Sequence, residues 1–150
     1  MNRWHLESAK TQEDILWILG ELPKFAAYHA EESWLPDWDA QMEQLIYAMR
    51  HGYLRIAISP DGNRSGFLMG CTHPHWSNRE QTQATELLWW VVPEARKTRA
   101  GFLLMRDFTA WAESFCHKIS FSLVGPAGDR ALMKLGYKYG ERVYTKEVQR

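Results

Sequence analysis

TELLWWVVPEARKTRAG, residues Thr85–Gly101, decides the fold. Leu87–Val92 is apolar on both faces, as a central strand is, and Pro93 ends it. Arg96, Lys97 and Arg99 then form a basic turn that runs directly into an amphipathic helix. A strand handing over to a helix in this way gathers unpaired backbone N–H groups and the positive end of the helix dipole at one spot. Three cationic side chains around that spot make it a place for a phosphate.

Working outward, Leu104, Phe108, Trp111 and Phe115 mark the buried stripe of a helix of about four turns. Ile119–Val124 reads as a second buried strand. Asp129–Leu135 is a short helix stopped by Gly136, and Tyr137–Val148 predicts one bent strand or two short ones. Upstream, Leu54, Ile56 and Ile58 alternate with more polar neighbours, Pro60–Asn63 is a turn, and Gly66–Thr72 returns as the other arm of a hairpin. A helix bearing Met42, Leu45, Ile46 and Met49 opens near Asp37 or Asp39 and stops at Gly52. Before it, Thr11 with Asp14 three residues on opens a helix carrying Ile15, Ile18, Leu19 and Leu22, disturbed or ended by Pro23. Trp4–Ser8 is a short first strand. The order β-α-α-β-β-β-α-β-α-β predicts an α/β protein of α+β type, a mixed sheet with helices on both faces.

With 150 residues and 45% hydrophobic content, the chain reads as a single domain, residues 1–150, able to bury its core without staples. Eighteen basic residues balance eighteen acidic ones, so the basic turn is a local feature and not part of a global field. That balance argues against a long nucleic-acid footprint. Cys71 and Cys116 have neither CxxC spacing nor the density of a disulfide scaffold, and there is no apolar leader or membrane-length apolar run. A cytoplasmic protein without a membrane partner is the expectation.

The element order, the segment Leu87–Gly101 and the ending ALMKLGYKYGERVYTKEV resemble the GNAT superfamily of acyl-CoA N-acyltransferases. That resemblance implies a three-layer fold with a V-shaped split in a mostly antiparallel central sheet. It implies acetyl-CoA as co-substrate, its pyrophosphate held by Arg96, Lys97, Thr98, Arg99, Ala100 and Gly101, with Thr98 as helix N-cap. Arg99 stands where the family has its first glycine. Val91 and Val92 are the corresponding strand residues that offer backbone groups to the pantetheine arm. Glu86 matches the position of the family's general base. The family's tyrosine acid falls on Leu132, which leaves Tyr137, Tyr139 and Tyr144 as substitutes, with Tyr144 taken as the candidate. Dimerisation is common in the family.

Direct transfer to an amine needs a base for the amine proton and tolerates a thiolate leaving group, whose pKa is near 8–9. The acceptor side falls on His29–Asp39, HAEESWLPDWD, where Glu32, Trp34 and Trp38 suit a cationic amine, small or on a protein, by ion pairing and cation–π contact. The plainer reading is that the tryptophans pack and the acids cap the next helix. Alternation would place Cys71, His73 and His75 on one side of a strand, but Pro74 interrupts it and no fourth ligand follows from spacing, so no metal is expected. There is no G-x-S-x-G turn, Walker loop or dinucleotide fingerprint. Two other functions compete: a non-catalytic module that binds acyl-CoA or a protein, and acylation of a nucleobase amine.

Overall fold

The structure is a computed structural model that describes residues 3–28, 36–141, 143, 144, 146 and 148. Its elements are β1 (His5–Ser8), α1 (Gln12–Tyr28), α2 (Trp38–His51), β2 (Tyr53–Ile58), β3 (Arg64–His75), β4 (Asn78–Val91), α3 (Ala100–Glu113), β5 (Lys118–Ser120) and α4 (Asp129–Lys134). Five strands form one sheet in the order β1-β2-β3-β4-β5. All neighbours are antiparallel except β4 and β5, which are parallel. The mixed α/β architecture expected from the sequence is what forms. The closing strand expected over Tyr137–Val148 is absent from the described residues of that range.

The alternation of β2 explains the layers. Leu54, Ile56 and Ile58 project to one face, where Ile15, Ile18, Leu19 and Leu22 of α1 and Leu45 of α2 close a buried cluster. Tyr53 and Ala57 project to the other, under Leu104, Phe108 and Ala112 of α3. The Tyr53 hydroxyl donates to Asp107 at 2.7 Å and Arg55 pairs with the same carboxylate at 3.2 Å, which fixes α3 across β2.

Local signals set most element ends. Asp14 N–H donates to Thr11 Oγ1 at 3.1 Å, while Asp14 Oδ2 accepts from the backbone of Lys10 and Thr11, a reciprocal cap. Asp37 caps α2 by accepting from Ala40 N–H at 3.0 Å. Pro23 does not end α1, which runs on to Tyr28. Leu22 is buried and Phe25 packs against the same cluster, so burial of the apolar stripe outweighs the backbone hydrogen bond that proline removes. Phe115 lies beyond the end of α3 and is 48% exposed, so the helix buries Met105, Thr109 and Ala112 beside Leu104 and Phe108 instead.

Candidate active site

β4 and β5 part company where the chemistry is expected. They pair only over Gln83–Thr85 and Lys118–Ser120, after which β4 continues to Val91 and β5 stops. The next bond across the gap is not a ladder bond: Ser122 N–H donates to the Glu86 carboxylate at 3.3 Å. Beyond it the two strands enclose a cleft of about 550 Å³. Glu86 to Val91 form one wall, Ser122 to Val124 and Gly128 the other, and Gly101, Phe102 and Met105 of α3 lie at its base.

A β-bulge aims Glu86 into this gap. Leu88 faces Met69 and Glu86 faces Gly70, so Leu87 is the extra residue without a partner on β3. Strict alternation would put Glu86 on the face of Leu88 and Trp90, toward α1. The extra residue restores it instead to the α3 face, shared with Gly70, where a Cβ would overlap the ring of Phe108. Glu86 is buried, 8% exposed. Burial raises its pKa from 4.5 to about 7, opposed by the one N–H from Ser122.

The turn after β4 is held by its own residues. Pro93–Ala95 is one turn of 3-10 helix, and Thr98 N–H closes onto the Ala95 carbonyl at 3.1 Å. The N-cap of α3 is Arg99, so the Thr98 assignment shifts by one position. Thr98 Oγ1 still accepts from Ala100 N–H at 3.2 Å, which occupies that donor. The first bond of the helix runs from Leu103 N–H to Arg99 O, leaving the N–H groups of Gly101 and Phe102 without intrahelical acceptors at the cleft.

Gly101 also suits the packing here. A Cβ there would stand 3.0 Å from the Trp89 ring and 3.4 Å from Val91, a contact tight enough that the indole would have to give way to accommodate it. Trp89 is wedged between Gly101 and Gly128, and its buried indole N–H has no partner.

The three basic side chains divide. Arg96 lines the cleft: its Nε donates to the Val91 carbonyl at 3.2 Å and its guanidinium lies 4.5 Å from the Tyr28 ring centre and 4.8 Å from that of Trp90. Lys97 and Arg99 are exposed and do not line the cleft, and Ala100 is fully buried. Val91 and Val92 also separate. Val92 N–H donates to Ser65 O at 3.0 Å, on the β3 side, and its carbonyl accepts from Ala95 N–H at 2.9 Å, so both backbone groups of Val92 are engaged. By alternation, the polar backbone groups of Val91 and Trp89 point into the split.

The remaining expected residues fall elsewhere. Tyr144 is 86% exposed and outside the cleft lining, and Leu132 is buried on α4. Tyr137 is the tyrosine whose ionisation feels Glu86. Partial burial raises its pKa, the hydrogen bond with Thr109 Oγ1 at 2.9 Å opposes the rise, and the charges of Glu113 and then Glu86 add to it. Glu32 and Trp34 lie outside the described residues, and Trp38 opens α2 with 51% exposure, away from the cleft lining. His73 Nε2 lies 3.1 Å from Thr85 Oγ1 and His75 Nδ1 lies 2.9 Å from Ser77 Oγ. Among the described residues no three His, Cys, Asp or Glu side chains are grouped to hold a metal, and no helix is long and apolar enough to cross a membrane. Sequence reasoning missed Ser122, the Leu87 bulge and the aromatic seat of Arg96; only the last had a signal, in the tryptophans that precede the basic turn.

No family model and no curated protein matches the sequence. Solved structures do match the fold. A Trypanosoma brucei acetyltransferase is 17% identical with a TM-score of 0.73, over 97% of this chain and 99% of that one. A transcriptional regulator from Bacillus halodurans C-125 is 18% identical with a TM-score of 0.74, over 97% and 100%. A GNAT family acetyltransferase from Staphylococcus aureus is 14% identical with a TM-score of 0.63, over 97% and 99%. At these identities the likeness is one of fold: this chain has the open, split sheet of GNAT acetyltransferases.

Proposed function

We propose that this chain transfers an acyl group, acetyl in the first instance, from a coenzyme A thioester to a primary amine. The observation that carries the reading is Glu86, a buried carboxyl with a pKa of about 7 at the point where β4 and β5 separate. A base of that pKa is half ionised at neutral pH, matched to the removal of a proton from an amine. The fold supports the reading, since acetyltransferases share it.

The cleft supplies the other requirements. The backbone groups of Trp89 and the N–H of Val91, whose carbonyl is held by Arg96, are a ladder edge for the amide-bearing pantetheine arm. Gly101 and Phe102 N–H groups and the positive end of α3 accept the pyrophosphate, with exposed Lys97 and Arg99 at the rim and Arg96 held beside the strand. In the reaction the amine nitrogen attacks the thioester carbonyl, a C–N bond forms, and the C–S bond breaks with its electron pair leaving on sulfur. The amine proton goes to Glu86 and then to solvent, and the thiolate is protonated to coenzyme A thiol. Tyr144, the acid expected from the sequence, does not line the cleft. Tyr137, half-buried and within the field of Glu86, is a second candidate acid, and a thiolate also leaves without an acid.

The test is thiol release from acetyl-CoA with a panel of primary amines. Release in the wild type and its loss in Glu86→Gln support transfer. Saturable binding of coenzyme A with no thiol released would mark a binding module, and acetylation of an oligonucleotide base with small amines untouched would mark a nucleobase modifier.

A further inference from the structure

A second cavity, of about 340 Å³, lies on the opposite side of β4, between α1, α2 and the sheet. Phe25 and Leu87 line both cavities, so the bulge residue beside Glu86 forms a wall of each. Its volume is at the low end of the range for small-molecule sites, ~300–1,000 Å³. Leu22, Leu45, Met69 and Leu88 make the lining apolar, and no residue that lines it carries a formal charge. Nearby carboxylates are engaged: Glu21 accepts from Trp90 Nε1 at 3.0 Å and from Lys24 at 2.9 Å, and Asp37 caps α2. Two side-chain amides, Gln41 and Gln44, break the apolar lining. Gln41, in the first turn of α2, holds a buried Oε1 with no hydrogen-bond partner.

A mostly apolar wall and a buried acceptor without a partner, Gln41 Oε1, specify a ligand. A carbonyl oxygen left unpaired in an apolar site is costly, and a ligand N–H or O–H relieves that cost. A polycation is excluded by the same reasoning, since each additional ammonium would be buried without a counter-charge. We propose that this cavity is the acceptor subsite and takes a small primary amine with an apolar body and one further hydrogen-bond donor, which meets Gln41 Oε1. The inference rests on the acyl-transfer reading above. It differs from recognition of a cationic amine by Glu32, Trp34 and Trp38 in the segment 29–39, of which the described acids, Asp37 and Asp39, lie at the start of α2 outside this lining.

Calorimetry on the coenzyme A-loaded protein separates the subsite from catalysis. Tyramine, phenethylamine and spermidine are titrated against the wild type and Gln41→Leu, with thermal unfolding to establish that the variant folds. Tyramine is expected to bind about 5-fold tighter than phenethylamine, the worth of one net hydrogen bond, and spermidine at least 10-fold more weakly than either. In Gln41→Leu the tyramine advantage disappears while phenethylamine changes by less than about 2-fold. The proposal is overturned if spermidine binds best, if the tyramine advantage survives in Gln41→Leu, or if neither aryl amine gives heat; if the variant fails to fold, the wild-type ranking of the three amines decides. Thiol release with polyamines but not tyramine would sink this subsite and leave acyl transfer standing. Tyramine bound without thiol release would sink acyl transfer alone.

Discussion

Replacing Glu86 by glutamine is expected to make the protein more stable while abolishing its chemistry. The carboxyl has a pKa of about 7 in the fold against 4.5 in an unfolded chain, so the folded state holds the proton more tightly. Below pH 4.5 the group is neutral in both states and costs nothing. Between 4.5 and 7 the unfolded chain releases its proton first, and stability falls as pH rises. At about 1.4 kcal/mol per pH unit, the loss totals about 3 kcal/mol above pH 7. Glutamine carries no such penalty and keeps a carbonyl for the Ser122 N–H. The advantage of Glu86→Gln should therefore be about 3 kcal/mol greater at pH 8 than at pH 4, roughly 6–12 °C in Tm for a chain of this size. Urea unfolding at the two pH values measures it. A stability difference between variant and wild type that does not change with pH would refute the reasoning, because the carboxyl would then not be desolvated.

Activity should depend on the same group with the opposite sense: kcat/KM rises with pH through about 7 as Glu86 ionises, and a profile flat from pH 5 to 9 would remove Glu86 as the base. Arg96→Ala should weaken coenzyme A binding by about 3–10-fold, and Arg96→Lys should not restore it, because a point ammonium cannot keep both the Tyr28 and Trp90 faces and the Val91 carbonyl; calorimetry of the two variants checks this. Gly70→Ala should destabilise by about 1–3 kcal/mol, read from urea unfolding, since its methyl has nowhere to go but the Phe108 ring. Asp14→Ala removes the carboxylate that accepts from the Lys10 and Thr11 N–H groups and pairs with Arg64 at 3.0 Å, while the Thr11 Oγ1 bond to the backbone of residue 14 stays, and should cost about 1–2 kcal/mol at pH 7. The Asp14 pKa is held down at about 2 by the Lys10 and Thr11 N–H groups and Arg64 despite partial burial, so the cost is present above pH 4 and is lost as pH falls toward 2.

Features set by neighbours in sequence were legible, and features set by distant contacts were not. The Thr11–Asp14 cap, the start of α2, expected at Asp37 or Asp39 and found at Asp37, and the turn at Pro60–Asn63, closed by Ser59, depend on residues three or four apart. β4 begins at Asn78, nine residues before the strand expected from Leu87, because NREQTQAT is polar on both faces and only its pairing with β3 makes it a strand. β5 ends at Ser120 and not Val124, since the Ser122 N–H turns to Glu86 instead of continuing a ladder. The bulge at Leu87 leaves no trace in hydrophobic period, yet it decides which way Glu86 points. In the basic turn, residue type identified the place but not the division of labour: Arg96 lies on aromatic rings supplied by α1 and β4, while Lys97 and Arg99 face outward.

The central claim is that a coenzyme A thioester lies in the gap between β4 and β5 against the first turn of α3. Amide chemical shifts of the labelled protein, followed during titration with coenzyme A, test it residue by residue. The predicted result is saturable movement concentrated at Trp89, Val91, Gly101 and Phe102, with Val92 and Ala100 little changed because Ser65 and Thr98 already hold their N–H groups. Shifts confined to other surfaces, or none at millimolar coenzyme A, would contradict it.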